Sequence, residues 1–93
     1  MYIGSLQVEL EITDGITLKD KRAVVQSLLT RLRSRFNVSA AEVGHLDNPR
    51  LASLAIVTVG NEHNFVLRVL DKVEDLVESE TRAVLLRCER EVL

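Results

Sequence analysis

Apolar and polar residues alternate strictly over residues 5–12, with Leu6, Val8, Leu10 and Ile12 on one side and Ser5, Gln7, Glu9 and Glu11 on the other. Successive side chains of a strand point to opposite faces, so a period of two predicts a strand with one buried face. Thr13-Asp14-Gly15 interrupts the pattern with turn residues. The period then lengthens: Leu18, Val25, Leu28, Leu29, Leu32 and Phe36 recur at helical spacing, predicting a helix to about residue 35 that packs against Leu6, Val8 and Leu10. Thr17 stands where an N-cap belongs, and Asp20 takes the place of the usual Glu of a capping box.

Residues 38–46 read as a second, weaker strand, and Asp47-Asn48-Pro49-Arg50 is turn chemistry. Residues 51–59 are almost continuously apolar and β-branched toward their end, as a central strand requires. Gly60-Asn61 ends that strand, with Asn61 as the expected cap of a second helix. The stripe of that helix is Val66, Val69, Leu70, Val73, Leu76 and Val77, and Ser79-Glu80-Thr81 closes it. Residues 83–92 return to a strand, with Val84, Leu86, Cys88 and Val92 expected inward and Arg87, Glu89 and Glu91 outward. The order βαββαβ predicts an α+β ferredoxin-like sandwich: a four-stranded antiparallel sheet with both helices on one face. No linker or low-complexity segment divides residues 1–93, which read as one domain.

A hydrophobic content of 46% with 28% charged residues is that of a globular chain able to bury a core. Cys88 is the only cysteine, which excludes an internal disulfide and suits a reducing cytoplasm. The start shows no basic segment leading into a long apolar run, so no signal peptide is expected. Nor does any apolar stretch approach the roughly 18–20 residues of a membrane span. These features predict a cytoplasmic protein with no membrane partner.

The net charge of −2 conceals an asymmetry. Residues 18–36 hold Lys19, Lys21, Arg22, Arg31, Arg33 and Arg35 against Asp20 alone. Residues 62–80 hold six acids against Arg68 and Lys72. Three of the first helix's cations crowd its start, the positive end of the macrodipole, where acids are normally favoured. An external anion is one way to relieve that conflict.

Two segments, Thr17-Leu18-Lys19-x-Lys21-Arg22 and Arg31-Leu32-Arg33-x-Arg35-Phe36-Asn37-Val38-Ser39-x-Ala41-Glu42-Val43, together resemble the YlxP-like family of small bacterial proteins, the domain of unknown function 503. The resemblance covers essentially the whole chain, including the element order and Asn61. It implies a ferredoxin-like fold without an established activity. Because such proteins are often encoded beside translation-initiation and ribosome-maturation genes, it also implies an RNA or ribosome context. An aromatic that family members often carry near Pro49 is missing here.

Projected at 100° per residue, Lys19, Arg22, Gln26 and Arg33 lie along one flank of the first helix, Arg31 and Arg35 along the other, and Lys21 nearer the core edge. The face opposite the core is small: Ala23, Ser27, Thr30 and Ser34. Lys19, Lys21, Arg22, Arg31, Arg33 and Arg35 are therefore the candidate anion or RNA contacts, set against a solvated helix whose cationic stems cover the core edge. The acidic outer residues Asp71, Asp75 and Glu78 of the second helix are either solvated or partners of the basic helix.

Base stacking of the RNA-recognition-motif type is unsupported, because Leu51–Val59 lacks aromatics and Tyr2 is the only tyrosine. An acylphosphatase-like phosphate cradle would need an Arg in Thr13-Asp14-Gly15-Ile16. His45, Asp47 and His63 do not make a metal-binding pattern, and Cys88 has core parity. No catalytic residue, metal or cofactor is expected. The open sheet face should carry Gln7, Glu9, Arg87 and Glu89 beside Ala55, Val57 and Val59 or their neighbours, which offers a homo-oligomeric or ligand-binding surface as the alternative function.

Overall fold

The computed structural model describes residues 1–93 and has the expected order: β1 (Tyr2–Ile12), α1 (Leu18–Arg35), β2 (Ser39–Gly44), β3 (Leu51–Gly60), α2 (His63–Glu78) and β4 (Ala83–Val92). The strands form one antiparallel sheet in the order β2-β3-β1-β4, the ferredoxin-like α+β topology. Alternation sends Leu6, Val8 and Leu10 of β1 and Ala52, Leu54 and Ile56 of β3 to the helix side. There they meet Val25, Leu28, Leu29 and Leu32 of α1 and Leu70, Val73, Leu76 and Val77 of α2. Leu28 is fully buried, as the phase assigned to α1 requires.

Gly4 and Gly60 let α2 approach the sheet closely. A Cβ at Gly4 would lie 2.5 Å from Val66 Cγ1, and one at Gly60 would lie 3.0 Å from Val66 Cγ2. Gly15 has φ +110°, and its turn folds tightly against Asp20, where a Cβ would meet the Asp20 Cβ at 2.4 Å.

The structure corrects several expectations. Leu18 is only partly buried, while Val24 and Lys21 belong to the buried side of α1. Asn61 does not cap α2: the N-cap is Glu62, which makes no side-chain cap bond. In β4, Val84 and Leu86 face outward and are about half exposed, while Ala83, Leu85, Cys88 and Val92 pack on the core. The cause is a bulge: Glu9 pairs with Arg87 but Leu10 with Leu85, so Leu86 is the extra residue and the parity flips there. A second bulge ends β2, where Glu42 pairs with Leu54 and Gly44 with Ser53, leaving Val43 over.

Candidate anion-binding helix and open sheet face

The start of α1 is built as its sequence suggests. Thr17 Oγ1 accepts from the Asp20 N–H at 3.1 Å, and Asp20 Oδ2 accepts from the N–H groups of Ile16 and Thr17 at 3.0 and 3.1 Å. These bonds, that from Ile16 foremost, hold the Asp20 carboxyl below its usual range. The positive end of this helix therefore already has an acid on it, supplied from within.

Lys21 is not part of an anion-binding surface. Its side chain is completely buried. Its ammonium donates to the carbonyls of His45 at 2.7 Å, Leu51 at 3.1 Å and Leu46 at 3.4 Å, and lies 2.9 Å from Glu42 Oε2. That carboxylate oxygen is buried with no aligned hydrogen bond, so its compensation is the adjacent positive charge. His45 adopts φ +58°, an uncommon conformation outside glycine, and its carbonyl takes the shortest of the Lys21 contacts. Lys21 thus moors the β2–β3 hairpin to the first turn of α1.

Two more of the predicted cations also have work inside the fold. Arg31 binds Glu80 Oε1, while Arg82 reaches both oxygens of the same carboxylate at 2.9 Å and donates to Ser27 Oγ at 3.2 Å. Glu80 is almost fully buried, and the Arg82 guanidinium in particular holds its carboxyl down at about 2. Arg33 donates through Nη2 to the carbonyl of Ala40 at 2.6 Å, on edge strand β2. Lys19, Arg22 and Arg35 are exposed and make no ion pair or side-chain hydrogen bond. The acidic residues of α2 do not reach α1: Asp71 and Glu74 pair with Arg90 of β4 at 2.7 and 3.2 Å.

The open sheet face carries the polar cluster expected of it. Gln7, Glu9, Arg87 and Glu89 line a shallow depression of about 150 Å³. Ser53 Oγ donates to Glu9 Oε1 at 2.8 Å, Gln7 reaches Ser53 Oγ at 3.3 Å, and His45 Nε2 lies 3.7 Å from Glu9 Oε2. Strand pairing places Val59 opposite Ile3, and reciprocal backbone bonds of 2.8 Å pair Ile3 with Leu93, giving an apolar row across one end of this face. Val84 and Leu86 lie outward on β4.

Cys88 is packed at the core, its thiol donating to Glu74 Oε1 at 3.4 Å. Burial and that carboxylate push it up to about 11, which leaves it protonated and unreactive at neutral pH. His63 meets Tyr2 edge to face at 5.4 Å, and no group of three or more His, Cys, Asp or Glu side chains could hold a metal ion. No helix is long and apolar enough to cross a membrane. Glu42, Glu80 and Arg82 are the organising residues that sequence reasoning missed, because their partners on α1 lie 21 to 55 positions away.

Comparison with known proteins agrees with this architecture. The profile of the family described as "Protein of unknown function (DUF503)" matches residues 3–90. The chain is 35% identical over 77 residues to the "Uncharacterized protein YlxP" of Bacillus subtilis (strain 168), an overlap covering 83% of this chain and 84% of that protein. Among solved structures, the de novo designed protein Foldit4 superposes with a TM-score of 0.54 at 8% identity, covering 98% of this chain and 96% of the design, a likeness of fold alone. The chain belongs to the DUF503 family.

Proposed function

We propose that this protein is a non-catalytic cytoplasmic module that contacts the phosphate backbone of RNA, in a ribosomal setting, through the exposed flank of α1. One observation carries the reading. Of the twelve Lys and Arg side chains, six (Lys21, Arg31, Arg68, Arg82, Arg87 and Arg90) pair with acids. Four of the other six, Lys19, Arg22, Arg33 and Arg35, are on α1. In a chain with more acids than bases, unpaired cations gathered on one helix are a surface kept positive.

At 100° per residue, Lys19, Arg22 and Arg33 fall within an arc of about 60°, with Arg22 and Arg33 about 16 Å apart along the axis. Arg33 retains further N–H donors beyond the one that Ala40 accepts. Beside them runs the small strip Ala23, Thr30 and Ser34, which lets a backbone approach. Arg35 lies on the opposite flank and is not needed for this footprint.

The test is the salt dependence of binding to single-stranded RNA. Three phosphate contacts give a log–log slope of about −2 to −2.7, and Arg22→Gln with Arg33→Gln flattens it by about 1.4–1.8. A wild-type slope near zero, or one that both substitutions leave unchanged, refutes the reading.

A second reading is a homo-oligomer joined through the open sheet face, favoured by the row Val59, Ile3 and Leu93 with Val57 beside it. Sedimentation separates it: a dimer that Val57→Lys with Val59→Lys dissociates supports that reading, and a monomer at high concentration excludes it.

A further inference from the structure

A cavity of about 310 Å³ lies where the end of α1, the end of β3 and the first half of α2 converge. No ion pair spans it, and its volume falls at the lower end of small-molecule sites. Its apolar walls are Phe36, Phe65 and Val69, the end of β3 at Thr58–Val59 closes one side, and Arg35 and Lys72 stand at its margin. The local sequence places the two rings. Phe36 caps α1 in an extended conformation, its N–H bonded to the Leu32 carbonyl at 3.0 Å, which turns the ring onto the core. Phe65 opens α2 half exposed, with Arg68 over its ring at 6.0 Å from the centroid and Glu62 3.7 Å from Arg68.

The charges choose the occupant. Neither Arg35 nor Lys72 pairs with an acid, and no acid lines the cavity. The groove continues past Lys72 to Asp75, also unpaired. Two cations with one acid beyond them favour a single negative charge and disfavour a phosphate-rich chain. Thr58 already donates its hydroxyl to the Asn37 carbonyl at 3.0 Å, which leaves the Asn37 amide as the free polar group on the lining.

We propose that this cavity binds a small amphipathic monoanion, a carboxylate on an aromatic or branched apolar body. The body packs among Phe36, Phe65 and Val69 beside the end of β3, and the carboxylate lies at Arg35 and Lys72. This site is independent of the RNA flank, which requires neither Phe65 nor Lys72.

The probes are 3-phenylpropanoate, its uncharged amide 3-phenylpropanamide, and inorganic phosphate, each titrated into the isotope-labelled full chain and followed by backbone amide resonances. The carboxylate should shift Asn37, Val59, Phe65 and Lys72 together, and the amide should bind about fivefold to tenfold more weakly, the worth of two exposed charge contacts. Arg35→Gln with Lys72→Gln should bring the acid down to the affinity of the amide. Phe65→Ala, at a half-exposed position outside the core cluster, should weaken both. Arg22→Gln should change neither, which separates this result from the RNA test. Equal affinity for acid and amide, shifts confined to other residues, phosphate moving the same amides as tightly as the acid, or no response at about 10 mM each overturns the proposal.

Discussion

Replacing Lys21 by Met keeps the aliphatic stem that packs in the interior and deletes only the ammonium. In the native structure that group serves the carbonyls of His45, Leu46 and Leu51 and faces the buried Glu42 Oε2 at 2.9 Å, with the whole side chain out of solvent. Its loss leaves a carboxylate mostly removed from water with no countercharge, and carbonyls without their donor. Breaking a buried pair from one side costs about 3–5 kcal/mol. A domain of this size is stable by about 5–15 kcal/mol, so Lys21→Met should remove roughly a fifth or more of the total. At about 4–8 °C per kcal/mol, the melting temperature should fall by roughly 12–40 °C.

The chain has no tryptophan, so urea unfolding is best followed by far-UV circular dichroism. Glu42→Gln should be milder, about 1 kcal/mol, because the ammonium keeps its three carbonyls. Lys21→Met with Glu42→Leu should be less damaging than Lys21→Met alone, since no orphaned charge remains. Hydrogen exchange should show residues 44–51 opening first in the single variant. The salt slope of RNA binding should not move at all. A Lys21→Met variant within about 1 kcal/mol of wild type, or strict additivity with Glu42, refutes the mooring role.

Glu80, held down at about 2 chiefly by Arg82 against an ordinary 4.5, stabilises the fold fully above pH 4.5 and loses that contribution as pH falls from there toward 2. Glu80→Gln should therefore flatten the stability profile between pH 5 and 2 in chemical denaturation, and an unchanged acid limb would contradict the assignment. Gly4→Ala places a methyl 2.5 Å from Val66 Cγ1 and 3.1 Å from Leu70 Cδ1, both in fully buried side chains, so it should destabilise by about 1–3 kcal/mol in the same assay. A stabilised variant would show that α2 can shift off the sheet without loss.

What was legible in the sequence was whatever is encoded locally. Alternation in β1, the stripe Val25, Leu28, Leu29 and Leu32 of α1 and the capping box each depend on neighbours a few positions apart, and each stands as read. The parity of β4 failed at Leu86 because a bulge adds one residue to one strand only, and its evidence lies in the partner strand. Lys21 was nearly legible: at 100° per residue it falls between Val25 and Leu28, in the middle of the buried arc. Nothing nearby says how a charge survives there, since Glu42 and the three carbonyls arrive only when the hairpin folds over. The candidate cavity was not legible either, because Phe36 and Phe65 stand 29 positions apart, at the end of α1 and the start of α2.

Half of the basic character of α1 thus serves the fold, and this changes what the sequence pattern means. Lys21 holds the β2–β3 hairpin, Arg33 covers a carbonyl on the exposed edge of β2, and Arg31 joins the buried carboxylate between α2 and β4. Each tie reaches an element that the backbone hydrogen bonds of α1 cannot reach. The conflict between cations and the helix dipole is resolved internally, by Asp20 at the cap and Glu42 against Lys21. Only Lys19, Arg22 and Arg35 remain without a structural task, and Arg33 has donors to spare. A basic helix whose charges were all functional would lose binding but not stability when neutralised. Here the two losses should separate residue by residue, stability following Lys21 and Arg31, and the salt slope following Lys19 and Arg22. That separation is the measurement that decides whether α1 is a surface, a brace, or both.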